Sequence, residues 1–236
     1  MTDTQHDGLL DRSLPAGKLL LWGLLGTLLV ASIHLACTRI LQVDEAQQVF
    51  QAGILARGET AKFYTHAPLL HLGQMSWIAR HAGTSEMIFL LNRLLFLGVF
   101  WINAALLARL CAGSWRGMPF LAWLLGAATL VPMWDYGFEI RHDNVMLTGL
   151  LVLWGLGRAW RVRSWLAYGA MGAVSVALQF CAFKAFLYWV PLCAVFLLLP
   201  PDPKAQDRGG RLRATLALFC GAILALLVGR VAFALA

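Results

Sequence analysis

Four short stretches of this 236-residue chain carry the side chains that could do chemistry. Asp44-Glu45 is an acidic pair, and Tyr64-Thr65-His66 offers a phenol, a hydroxyl and an imidazole. Glu139-Ile140-Arg141-His142-Asp143 alternates acids with cations, and Lys184 stands between two apolar runs. Carboxylates that can take a proton, set beside cations and an imidazole that can hold a phosphate, suit proton abstraction from a hydroxyl or amine at an anionic lipid headgroup. Three of these stretches lie at the ends of long apolar segments, and Tyr64-Thr65-His66 opens an amphipathic stretch of the loop between two of them. An ionisable group at membrane depth is costly and needs either a partner or a task.

The elements that must position them are membrane helices. Sixty per cent of the residues are apolar and 13% charged, against about 45–50% and about 25% in soluble domains. The mean hydropathy is +0.69, and the apolar runs approach the length needed to cross a hydrocarbon layer about 30 Å thick. Run lengths predict an all-α fold of about seven transmembrane helices, at 19–38, 86–108, 118–134, 144–157, 165–183, 185–199 and 214–235. The fifth and sixth cannot be one helix, because the stretch from Trp165 to Leu199 would rise about 50 Å as a single helix; a turn is expected at Lys184.

Residues 1–17 read as a cytoplasmic tail and 18–236 as one seven-span module, with Lys18 to Thr38 a retained signal anchor. Basic residues mark one side: Arg12 and Lys18, then Arg109 and Arg116, then Arg158, Arg161 and Arg163, then Lys204, Arg208, Arg211 and Arg213. By the positive-inside rule that side is cytoplasmic, which puts the N-terminus inside and residues 39–85 outside. This long loop holds two amphipathic stretches. In the first, Ala46, Val49, Phe50, Gly53 and Ile54 recur at helical spacing; in the second, Leu69, Leu72, Trp77 and Ile78 do so. Two interfacial helices are expected there.

The net charge of +7 is spread between apolar runs and not gathered on a basic patch, so no nucleic-acid partner is expected. Cys37, Cys111, Cys181, Cys193 and Cys220 form no Cys-x-x-Cys pair and read as small packing residues.

The ordered set of polar motifs resembles a known family. It comprises Asp44-Glu45 after the first span, Tyr64-x-His66-x-Pro68-Leu69 in the first loop, Asn92-Arg93 in the second span, Arg141-x-Asp143 before the fourth, and Phe183-Lys184 followed by Pro191. The chain is similar over about residues 15–236 to the C-class membrane glycosyltransferases, in particular the protein mannosyltransferase and lipid A aminoarabinose transferase group. The resemblance implies an integral enzyme of the cell envelope, here expected in a bacterial inner membrane. Such an enzyme takes a sugar from a polyprenyl phosphate and places it on a lipid, glycan or protein acceptor at the external face.

The resemblance assigns Asp44 as general base with Glu45 as its acidic neighbour, Asp143 as the second acidic position and Lys184 as the lysine that meets the donor phosphate. Tyr64, His66 and Arg141 join Lys184 as candidate substrate-binding residues. Where the aminoarabinose transferases carry Glu-Lys ahead of the proline, this chain has Thr65-His66, so no metal ligand is assigned and metal dependence stays open. The family continues through further spans, so the chain is expected to match its N-terminal seven-span module and to be incomplete as a catalyst alone. The implied partners are the lipid-linked donor, membrane lipid and a membrane protein supplying the remaining half. The alternative is a non-catalytic subunit that binds the lipid donor or a partner protein. At single residues the plainer readings are that Arg141 pairs with Asp143 or reaches headgroups, and that Glu139 and His142 are ordinary interfacial polar groups.

Overall fold

A computed structural model describes residues 15–40, 42–59, 69–130, 139–158, 165–198 and 208–235. Among the described residues the chain is all helical. The helices are α1 Pro15–Thr38, α2 Val43–Ala56, α3 Leu69–His81, α4 Ser85–Ala112, α5 Gly117–Ala128, α6 His142–Arg158, α7 Trp165–Cys181, α8 Phe186–Leu198 and α9 Arg208–Leu235. Three helical segments, Gly17–Thr38, Ser85–Ala112 and Gly209–Val231, are long and apolar enough to cross a membrane. The protein is an integral membrane protein by these helices. Gly117–Ala128, Trp165–Cys181 and Phe186–Leu198 are shorter apolar helices. The expected break at Lys184 is a 3-10 turn, Phe183–Ala185, and the two amphipathic stretches of the long loop are α2 and α3.

Local chemistry sets the helix ends. α4 starts at Thr84, whose hydroxyl accepts from the Met87 amide at 3.2 Å, and stops at Gly113, which adopts φ 74° so that its N–H reaches the Arg109 carbonyl at 3.0 Å. α2 ends in a Schellman turn: Gly58 takes φ 73°, its N–H bonds Leu55 O and the Glu59 N–H bonds Ile54 O.

The chain divides into two compact units, residues 1–50 with 81–144, and residues 51–80 with 145–236. In the first, α4 packs on α1 and α5 around Ala36, Leu97, Phe100, Ala104, Ala127 and Ala128. Small alanines face Phe100 there, which lets the helices close on one aromatic ring. The second unit packs α7 on α9 and α8 around Met146, Leu153, Met171, Leu178, Cys193 and Leu218. Its α7–α9 contact is backbone to backbone. A Cβ at Gly172 would strike the Leu218 carbonyl, and one at Gly221 would strike the backbone of Gly169. Glycines allow such approach between membrane helices. The five cysteines are free; Cys181 and Cys193 are buried, the other three exposed.

Candidate functional site

The site lies in the first unit and begins with a division between two neighbours. Asp44 and Glu45 both fall in the first turn of α2, where carboxylates meet the positive end of the helix dipole. Successive residues of a helix point about 100° apart, and here that separates their fates. The Glu45 side chain is 1% exposed, the Asp44 side chain 61%.

Glu45 is held on all sides. Arg93 of α4 grips it in a fork, Nε to Oε1 at 3.2 Å and Nη2 to Oε2 at 2.7 Å. The Gln42 amide donates to Oε2 at 3.1 Å and the Ile140 amide to Oε1 at 3.3 Å. The first of these is the reach-back of a capping box, a third-position glutamate satisfying the N-cap amide. Arg93 also donates to the carbonyls of Arg39 at 2.6 Å, Ile40 at 3.3 Å and Ala36 at 3.4 Å. The end of α1 leaves carbonyls without helical partners, and the guanidinium takes them up. One buried arginine therefore joins the end of α1, the start of α2 and α4, and Glu45 also bonds the 139–144 segment.

That segment adds a second layer. Arg39 Nη2 meets Glu139 Oε1 at 2.7 Å. Burial pushes the Glu139 carboxyl above its ordinary value, and the Glu45 charge adds to the rise while Arg39 and Arg141 pull against it. Arg141, 32% exposed, faces Asp44 at 3.6 Å, Glu139 at 3.7 Å and Asp143 at 3.8 Å. These three separations are longer than a well-formed charged hydrogen bond. His142 Nε2 lies 3.7 Å from Asp143. Asn144 donates Nδ2 to the Glu139 carbonyl at 2.9 Å, and Asn103 of α4 donates to the Asn144 carbonyl at 3.0 Å.

Of the residues expected from the sequence, Asp44, Glu45, Arg141 and Asp143 are brought together. Lys184 is exposed on the 3-10 turn of the second unit, where its carbonyl accepts from the Phe186 amide. Tyr64 and His66 lie outside the described residues. Glu139 is not the ordinary interfacial group the sequence reading makes it; it is buried, 3% exposed, and ion-paired. Arg39 and Arg93 were not assigned roles by residue type. The signal for Arg93 was present, since an arginine inside an apolar run needs a carboxylate partner. Among the described residues no group of three or more His, Cys, Asp or Glu side chains is arranged to hold a metal ion.

Comparison with family models, with curated proteins and with solved structures found no match for the chain.

Proposed function

We propose that the protein is a membrane glycosyltransferase that moves a sugar from a polyprenyl-phosphate donor to a lipid, glycan or protein acceptor, with Asp44 as the base. The supporting observation is the split between the adjacent carboxylates. Glu45 is committed to Arg93, whereas Asp44 is exposed beside a partly exposed arginine. An open carboxylate next to a cation is what an inverting displacement requires. The acceptor O–H or N–H gives its proton to Asp44 as its heavy atom bonds the anomeric carbon. The bond from that carbon to the phosphate oxygen breaks, and its electron pair leaves with the phosphate, whose charge Arg141 stabilises. A phosphate-binding role for Lys184 rests on the family resemblance alone, and one for His66 on its residue type alone. Asp143, which faces Arg141, orients it.

The seven-span topology, with the N-terminus cytoplasmic in a bacterial inner membrane, belongs to the same proposal. Single cysteines at Glu59, Arg161 and Gln206 in a cysteine-free background test it with an impermeant thiol reagent. Only position 59 should label from outside; labelling at 206 would break the seven-span arrangement.

One observation favours the subunit reading. Arg141 already faces three carboxylates, so its charge is balanced without a phosphate. Membranes carrying the chain, supplied in turn with radiolabelled polyprenyl-phosphate mannose, glucose and aminoarabinose, separate the two. Transfer that depends on the chain and is lost in Asp44→Asn supports the enzyme. Chain-dependent transfer that survives in Asp44→Asn, or binding of these donors without transfer, supports the subunit.

A further inference from the structure

We propose that Asn103 and Asn144 are positioning residues, an amide ladder that holds the charged segment 139–144 part-way down α4, with its Asn144 end inside the hydrocarbon layer. The levels follow from helix geometry. Ser85–Ala112 spans 28 residues, a length of about 40 Å at 1.5 Å per residue; Arg93 stands about 12 Å and Asn103 about 27 Å from its start. A hydrocarbon layer is about 30 Å thick, so α4 overhangs it by only about 10 Å in total. With the overhang at the far end both residues fall within the layer; with all of it at the start Arg93 stands at the boundary and Asn103 about 15 Å inside, and tilting the helix only lengthens its path inside.

The segment is tied at both levels. Its upper tie is the Ile140 amide on Glu45, which Arg93 holds. Its lower tie is the Asn103 amide on the Asn144 carbonyl, and Asn144 in turn holds the Glu139 carbonyl. Asn103 and Asn144 are 1% and 7% exposed, so neither bond is replaced by water when broken. Arg141, His142 and Asp143 are thereby kept at a depth where charges are costly, and their side chains are each about a third exposed. Such groups at that depth must line a water-filled or headgroup-filled cleft. In the glycosyltransferase reading, on which only this last step rests, the ladder sets how far below the headgroups the donor phosphate is drawn.

Asn92 provides the contrast. It is fully buried on the same helix, but among the described residues its side-chain amide donates to the Ile88 carbonyl of its own helix at 2.8 Å and its Oδ1 has no partner. An apolar residue there should leave the segment in place.

Spin labels at Ser114, on the exposed turn after α4, and at His142 measure the level directly by pulsed dipolar spectroscopy in phosphatidylcholine–phosphatidylglycerol vesicles. Asn103→Leu should lengthen the distance by about one helical turn, ~5 Å, as the segment slides toward the start of α4. Asn103→Gln, which keeps an amide donor, should restore it, and Asn92→Leu should not change it. Asn144→Ala, which frees Glu139 but leaves the Asn103 acceptor, should broaden the distribution. An unchanged distance in Asn103→Leu overturns the proposal. So does a distance in the unsubstituted chain as long as α4 itself, about 40 Å, which needs no variant to fold. No sugar is involved, so these outcomes stand whether or not transfer is found.

Discussion

In the first unit α4 adds charges and amides to an apolar packing surface, whereas in the second α7 meets α9 through bare backbone. The first buries Glu45, Arg93, Asn103, Glu139 and Asn144. The second is notched at Gly169, Gly172 and Gly221, and its buried Ser175 bonds back to Met171 of its own helix at 2.8 Å and lies 3.5 Å from the Cys193 thiol of α8. Without a hydrophobic force between helices in lipid, contact must come from close packing or from polar bonds. Buried charged pairs mark the first unit, while in the second the α7–α9 contact is packing and the polar contacts between α7 and α8 are neutral, Trp189 with Gln179 and Ser175 with Cys193. Packing fixes a distance and asks for small residues where the backbones meet. Polar pairing fixes which residue meets which, and it leaves one carboxylate, Asp44, exposed and facing Arg141 at 3.6 Å.

The sharpest way to break the contrast is to remove one partner of the buried pair. Arg93→Leu leaves Glu45 buried and unpaired and frees the carbonyls at the end of α1, which should cost about 3–5 kcal/mol. The melting midpoint in detergent should fall accordingly, and the double change Arg93→Leu with Glu45→Leu should recover much of it. A double variant no more stable than the single one would mean that the arginine acts on the α1 carbonyls alone.

In the second unit the corresponding change is Gly172→Ala. Its methyl would meet the Leu218 carbonyl, which no rotamer change can move aside. Overpacking of this kind costs about 1–3 kcal/mol. The same substitution at Gly23, where an added Cβ meets nothing, should be neutral or slightly stabilising. Equal effects at the two glycines would remove the packing account.

The smallest effect concerns pH. Burial holds Glu139 above its ordinary value of 4.5, so the folded chain binds this proton more readily than the unfolded chain. Its contribution to stability is fully present below about pH 4.5 and is lost as pH rises through the folded value. Glu139→Gln mimics the protonated acid and should abolish that loss. The variant should therefore gain on the unsubstituted chain as pH rises from 4 to 8 in a series of melts. A gain in the opposite direction would mean that Arg39 and Arg141 outweigh burial.

Helix positions were legible because each is a local property: run length gave α1, α4 and α9, and 3.6-residue periodicity gave α2 and α3. The break at Lys184 followed from length alone. The division between Asp44 and Glu45 was not legible, since it depends on the phase of α2 and on Arg93, 48 residues further along the chain. Glu139 was misjudged for the same reason. Its partner Arg39 is distant in sequence, and nothing in 139–143 marks which acid turns inward. That Asp44, Arg141 and Asp143 share a site was readable from motif order; their relation to Asn103 was not, because that bond runs to a backbone carbonyl.

The central claim is that two adjacent carboxylates do different work, and one paired experiment tests it. Asp44→Asn and Glu45→Gln are prepared together, and each is measured for melting midpoint and for the proposed transfer from a polyprenyl-phosphate sugar. Asp44→Asn should keep its midpoint and lose transfer by about 10²–10⁴-fold, the usual worth of a general base. Glu45→Gln should lower the midpoint sharply, as loss of one partner of a buried pair does. An Asp44→Asn variant that retains transfer, or that melts as early as Glu45→Gln, would contradict the division of labour.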